Sequence, residues 1–267
     1  MRLASAAKDG AEINERSRTD GRAMENALMI GLSRQLTLRR AMDVTANNIA
    51  NANTPGFKVE SLLLQPQAAQ RAHAEDGPNE LLYVENWGVG RNFGQGQMEY
   101  TGRPLDLAFE GEGFFAVETE SGDLRYTRDG RFRMDQEGRL ATTDGALVLD
   151  DVGSPINLNP GGGDITVQGG VILQGGREAA RLGAYVFDDL GALQKTGDGR
   201  YQAPEDVDAN LADEMNIQQG YIETSNVQQV MELTRMMETM RAYQSVSRFI
   251  QQGEELNRKA IERLGKV

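Results

Sequence analysis

The residues able to do chemistry in this 267-residue chain are few and scattered. Its one histidine, His73, sits in a polar stretch rich in Gln and Ala. A hydroxyl nucleophile assisted by imidazole needs that ring held by a positioned carboxylate, and a solvated loop position predicts no such role for His73. Adjacent carboxylates occur at Asp150-Asp151 and Asp188-Asp189. On a strand such neighbours point to opposite faces, and Asp clusters mark turns and strand ends. A sugar-cleaving site needs two convergent carboxylates, and nothing in the sequence singles out a pair. Gly88, Gly90 and Gly94 are spaced G-x-G-x-x-x-G, one residue too long for a dinucleotide loop, and Gly161-Gly162-Gly163 precedes the strand-like Asp164-Ile165-Thr166-Val167. Neither stretch leads into a helix, so the dipole that would hold a phosphate is missing. Met231, Met236, Met237 and Met240 offer soft ligands, but their helical spacing predicts a flexible helix–helix seam instead. The chain has no cysteine, which excludes disulfides, thiolate metal sites and Cys nucleophiles. No catalytic residue, cofactor or metal is expected.

With chemistry so thin, attention moves to the elements. Only 39% of the residues are hydrophobic and 31 are Gly. That is lean for a compact enzyme core but ample for a glycine-punctuated β domain plus amphipathic helices. No run of apolar residues is long enough to span a membrane. The formal charge is −12, unevenly spread. Residues 1–60 hold 9 basic and 7 acidic side chains, residues 223–267 hold 7 and 6, and the stretch between holds 12 and 27, a balance of −15. The ends are near neutral with both signs interspersed, whereas the middle is a solvated acidic surface. Such a surface argues against nucleic acid, whose binding neutralises phosphates with Lys and Arg.

The last part of the chain, from Glu223, predicts a long helix. Leu233, Met236, Met240, Tyr243, Ser247, Ile250, Asn257, Ile261 and Leu264 fall at alternating steps of three and four, with Gly253 and Glu254 as gaps. That spacing keeps one stripe facing a partner helix. Ser225 followed by Gln228 reads as a capping box at its start. A second long helix is predicted from Met24 to Ala50. There Leu28, Leu32, Leu36, Leu38, Met42, Ala46 and Ile49 share a broad arc into which Arg39 and Asp43 intrude, and Asn51, Asn53, Pro55 and Gly56 end it.

Between them, residues 81–219 break into short runs split by Gly, Asp and Asn, such as FFAVET, LRYT, GRFRM, RLATT and ALVLD. Asp129-Gly130 and Asp144-Gly145 read as hairpin turns and Gln136-Glu137-Gly138 as a longer one. The expected fold is α+β: long N- and C-terminal helices paired as a coiled coil, with an antiparallel all-β domain inserted between them. The expected divisions are a disordered extension over 1–23, a helical terminal domain from 24–58 and 220–267, a linker or assembly-ordered segment over 59–80, and the β-rich outer domain over 81–219. The first 23 residues lack the apolar core of a secretory signal.

Three stretches carry a family resemblance. ANNIANANTPGFK (46–58) resembles the N-terminal signature of bacterial flagellar rod and hook axial proteins, and QGYIETSNVQQVMELTRMMETMRAYQ (219–244) their C-terminal signature. TGRPLDLAFEGEGFFAV and YTRDGRFRMDQEGRLATTDGALVL are similar to the family's β core. The chain is identified as a member of the flagellar basal-body rod family, most similar to its proximal-rod type, with the distal-rod type as the alternative.

That resemblance implies a structural subunit, not an enzyme. The terminal helices would pair as a coiled coil and stack with neighbours into a hollow helical shaft, transmitting torque. The β domain would lie outside, in the periplasm. Export would be by the flagellar type III apparatus, and the partners would be copies of the chain and neighbouring rod proteins. The assembly interface expected comprises Leu28, Leu32, Leu36, Met42, Asn47, Asn48, Ile49, Asn51, Leu233, Met236, Met240, Tyr243, Ile250, Ile261 and Leu264. An amide side chain both donates and accepts, so Asn47 and Asn48, inside the helical stretch, read as bonds to adjoining subunits. Asn51 and Asn53 equally read as helix-ending residues. Two other classes remain: a secreted β-domain enzyme acting on glycan, and a cytosolic coiled-coil adaptor.

Overall fold

The structure, a computed structural model, describes residues 2–68, 82–212 and 216–264. It divides into two compact units: one of Asn47–Glu60 and Gly90–Gln229, the other of Met1–Ala46, Ser61–Val89 and Val230–Val267. His73, most of the 59–80 segment, residues 213–215 and residues 265–267 lie outside the described residues.

The first unit is built on a nine-stranded antiparallel sheet. Its path runs Gln194–Gly197, Arg200–Gln202, Leu124–Thr127, Phe114–Glu118, Leu147–Val148, Leu140–Thr142 and Phe132–Met134, and Ala184–Val186 joins Phe114–Glu118 to Asn210–Leu211. The strand Phe114–Glu118 lies at the centre of the sheet and serves two cores. It reads FFAVE, and successive side chains of a strand face opposite ways. Phe115 and Val117 enter a core with Leu107, Phe132, Leu140 and Leu182. Phe114 and Ala116 enter a second core with Tyr126, Phe187, Leu193 and Tyr201. In the second core, rings pack edge to face, Phe114 lying 5.6 Å from Phe187 and 5.9 Å from Tyr201. Each buried aromatic of this kind is worth about 1.5–3 kcal/mol of apolar transfer. A three-stranded meander, Ile165–Gln168, Val171–Gln174 and Arg177–Arg181, covers one flank.

Two of the three expected turns form. Asp144-Gly145 joins Leu140–Thr142 to Leu147–Val148, and Gln136-Glu137-Gly138 joins Phe132–Met134 to Leu140–Thr142, with Gly145 and Gly138 at φ of 102° and 84°. Asp129-Gly130 is not a hairpin: the strands on either side pair with other partners. The chain turns a corner there because Gly130 lies against Leu107, whose N–H it accepts at 3.0 Å, and a Cβ would overlap the Leu107 carbonyl.

Met98–Tyr100, Ile217–Gln219 and Tyr221–Glu223 are absent from the sequence reading: Met98–Tyr100 pairs with Tyr221–Glu223, and Ile217–Gln219 pairs with Leu107–Phe109, which lies in the expected run LDLAFE. The chain from 217 to 223 thus belongs to the β unit, and the closing helix α2 starts later, as Gln229–Leu264. The expected capping box does not form. Ser225 Oγ instead accepts the Val227 N–H at 3.2 Å, a turn bond made outside the helix.

In the second unit, helix α1 spans Arg2–Ala50. It therefore runs through residues 2–23, where disorder is expected. Ala, Glu and Arg recur there, and extending a helix that already exists costs far less than nucleating one. The 59–80 segment is not simply a linker: Glu60–Ala68 forms a two-stranded sheet with Leu82–Arg91. Helices α1 and α2 touch at two glycines. A Cβ on Gly31 would lie 3.1 Å from Ile250 Cγ1, and one on Gly253 would lie 2.9 Å from Leu28 Cδ2. The gap that Gly253 leaves in the apolar row is thus a point of closest approach. Among the described residues, no helix is long and apolar enough to cross a membrane.

Candidate functional site

Two sites emerge, one closed and one open. The closed site lies in the β unit, where the three sequence signatures meet. Glu223, from QGYIE, is buried, and its Oε1 accepts Lys58 Nζ at 2.6 Å and the Gly96 N–H at 2.7 Å. Lys58, from NTPGFK, also donates to the Gly94 carbonyl at 2.9 Å. Arg128, from YTRDG, donates through Nη1 to Glu223 Oε2 at 3.3 Å and to the Gly111 carbonyl at 2.9 Å. Its guanidinium lies 4.9 Å from the Phe114 ring centroid, a cation–π placement. Burial lowers the Lys58 and Arg128 pKa values, and the Glu223 carboxylate opposes that in both.

The backbone repeats the join. The Gly56 N–H donates to the Glu223 carbonyl at 2.8 Å, and Asn226 accepts the Val59 N–H at 2.7 Å while donating to the Asn92 and Gly94 carbonyls. Gly56 has φ of 69°, and a Cβ there would lie 2.6 Å from the Asp129 nitrogen. No side chain fits at that approach. A second charged cluster stands beside the first: Glu60 Oε1 accepts Arg91 Nε at 3.2 Å and Lys195 Nζ at 3.1 Å, and Lys195 lies 4.4 Å from the centre of the Phe57 ring.

The open site lies on the helices. The expected stripe separates into two strips. Leu28, Met42, Ile49, Met236, Tyr243 and Ile250 are half-buried, and the glycine contacts lie on that side. Leu32, Leu36, Leu233, Met240 and Ile261 face solvent, with Leu32 at 54% exposure and Leu233 at 50%. Their neighbours Met29, Val230 and Met237 are exposed too. Met29-Leu32-Leu36 and Val230-Leu233-Met237-Met240 each repeat at steps of three and four, so each helix carries an uncovered apolar strip beside a covered one. The side chain of Leu264 lies outside the described residues.

The asparagines behave differently from expectation. Asn48 is fully buried, donating to the Glu60 carbonyl at 2.8 Å and accepting the Glu60 N–H at 2.9 Å. Its amide serves as a strand-like brace inside the chain, in place of the intersubunit bond expected for it. Asn51 donates through its side chain to the carbonyl oxygen and Oδ1 of Asn47 at 2.9 and 2.6 Å, tying off the end of α1. Asn47 remains exposed.

Residues suited to catalysis are dispersed. Asp150 braces a turn, and Asp189 accepts the Gly191 N–H at 2.8 Å in another. Gly94 and Gly163 lead into strands, not helices. Among the described residues, no cluster of three or more His, Asp or Glu could hold a metal ion.

Known proteins match across the same parts. Residues 28–58 match the flagella basal body rod protein family, residues 108–173 the flagellar hook protein FlgE/F/G D1 domain, and residues 218–263 the flagellar basal body rod FlgEFG protein C-terminal family. The flagellar basal-body rod protein FlgF of Caulobacter vibrioides is 47% identical over 91% of this chain and 100% of its own length. FlgF of Mesorhizobium japonicum is 31% identical over 91% and 99%. The rod protein FlgG of Buchnera aphidicola from Schizaphis graminum is 32% identical over 82% and 92%.

Proposed function

The chain belongs to the flagellar basal-body rod proteins as a FlgF-like structural subunit, and from that premise we propose that it polymerises through its two terminal helices and passes torque along the rod. One observation carries this reading: the apolar strips on α1 and α2 lie open, with Met240 at 45% exposure and Ile261 at 70%. Helices of this length do not leave such strips in water when a neighbour can cover them. The glycine contacts between Leu28, Gly31, Ile250 and Gly253 support a coiled-coil pairing within each subunit, and the open strips then face its neighbours. Contacts that are not self-complementary propagate as filaments.

The proximal rod is favoured over the distal rod because the FlgF relatives are matched over 91% of the chain and the FlgG relative over 82%. Its place is the flagellar basal body. Passage through the type III export apparatus and a periplasmic position for the β unit follow from that place. A non-enzymatic role is supported by the relatives, which are named as rod proteins.

Met240→Asp tests the reading. A charge placed in the seam between subunits cannot be paired there, so the variant is expected to be secreted or retained but absent from purified basal bodies, with motility lost. Normal rods and normal swimming in that variant would refute assembly through α2.

A further inference from the structure

Val152 is the most exposed large apolar side chain among the described residues, at 79%. It is held out by a braced turn. Leu149 bridges to Pro155, the Asp150 N–H donates to the Ser154 carbonyl at 2.8 Å, and Asp150 Oδ1 accepts the N–H groups of Val152 at 3.0 Å and Ser154 at 2.7 Å. Turn tips are ordinarily polar. This one presents an apolar tip behind two carboxylates, Asp150 and Asp151.

The same unit carries an open pocket of about 460 Å³ floored by Leu105, Phe132, Met134 and Ile165. Its rim carries Arg103, Arg133 and Asp164. Arg103 Nε is engaged by Asp106 at 2.8 Å and Arg133 Nε by the Thr142 carbonyl at 3.3 Å. Those bonds fix both guanidinium groups while leaving their Nη groups without an acceptor among the described residues. Arg133, bonded only to a carbonyl, is therefore a rim cation without a carboxylate partner among the described residues, whereas Arg103 is paired with Asp106.

We propose that the Asp150–Ser154 turn of one copy of this chain docks in the pocket of the next copy, with Val152 on the apolar floor and Asp150 and Asp151 facing Arg103 and Arg133. The inference rests on the rod-subunit reading, which supplies the repeating neighbours. Three features select a second copy as occupant. Tip and pocket use separate residues, so the contact is heterologous and repeats without closing. The signs of charge are complementary. Acidic domains packed side by side also need a local cation–carboxylate contact to offset their repulsion.

The chain has no cysteine, which makes the test direct. Val152→Cys and Ile165→Cys are placed on separate copies of the full-length protein, co-expressed, and oxidised in purified basal bodies. A disulfide needs Cβ atoms about 4 Å apart, so a crosslinked dimer about tenfold above that from pairing Val152→Cys with Leu124→Cys is expected. Incorporation of both variants without a dimer overturns the docking and leaves the rod reading intact, as does a crosslink from either cysteine to a different rod protein. Absence of the unsubstituted chain from basal bodies would instead overturn the rod reading. If the cysteine variants fail to incorporate, charge reversal decides. Arg133→Glu is expected to reduce incorporation and Asp151→Arg, added to it, to restore it; a double variant no better than the single one overturns the docking.

Discussion

The two units differ in how they treat what is costly to leave unpaired. The β unit shuts its liabilities in: its aromatic rings meet one another in two cores, and its buried Lys58 and Arg128 share one carboxylate. The helical unit leaves its liabilities out, with Leu32, Leu36, Leu233 and Met240 facing water. On the proposed reading, one part is finished as a monomer and the other awaits neighbours. Stability and assembly are thus assigned to different residues, and substitutions should separate them.

The largest expected effect falls on the closed site. Glu223→Leu leaves Lys58 and Arg128 buried without their shared counter-charge, which costs about 3–5 kcal/mol. Denaturant unfolding followed by the β unit's tyrosine fluorescence measures it, and adding Lys58→Met is expected to recover part of the loss. A midpoint unchanged by Glu223→Leu would mean that the β unit does not depend on this closure.

Next comes a dependence on pH. Burial pushes the Tyr201 hydroxyl from 10.0 up to about 12, with the Arg91 charge opposing. The folded chain then keeps a proton that the unfolded chain has released. This stabilisation is complete below pH 10 and is lost as pH rises to about 12, a loss of about 3 kcal/mol for such a shift. Unfolding midpoints across that range are expected to fall steeply in the parent and less steeply in Tyr201→Phe. Tyr126 and Tyr185, also raised chiefly by burial, contribute the remaining slope.

The smallest effect on the isolated chain belongs to the open strip. Leu233→Ser removes an apolar group already in water, so the unfolding midpoint should move by less than about 0.5 kcal/mol. Incorporation into basal bodies should nevertheless drop. A large loss of monomer stability would show that this strip is covered within the chain.

Much of this division was legible in the sequence because it is written in periodicity. Steps of three and four marked the closing helix, a broad apolar arc marked the first, and Gly145 and Gly138 marked two turns. What escaped notice depends on distant partners. Met98–Tyr100, Ile217–Gln219 and Tyr221–Glu223 are three-residue strands of mixed polarity, and such segments become strands only because each finds the other edge. No local pattern around Lys58 or Glu223 announces a buried pair. Asn48 was placed correctly in a helix but given the wrong partner: a donor–acceptor amide says that it will bond, not to whom. The glycine gap at 253 shows the converse, a missing side chain that marks the tightest contact.

The Lys58–Glu223 pair joins positions 165 residues apart, and the strands at 217–223 complete edges begun at 98–109. A polypeptide that leaves a ribosome or a narrow pore amino end first cannot close this latch until residue 223 is through. Until then the early part of the β unit lacks both its counter-charge and two of its edge strands, and pairing at such sequence separation is slow. The order of residues along the chain thus acts as a timer, holding back the β unit's rigid shape until its last strands have emerged.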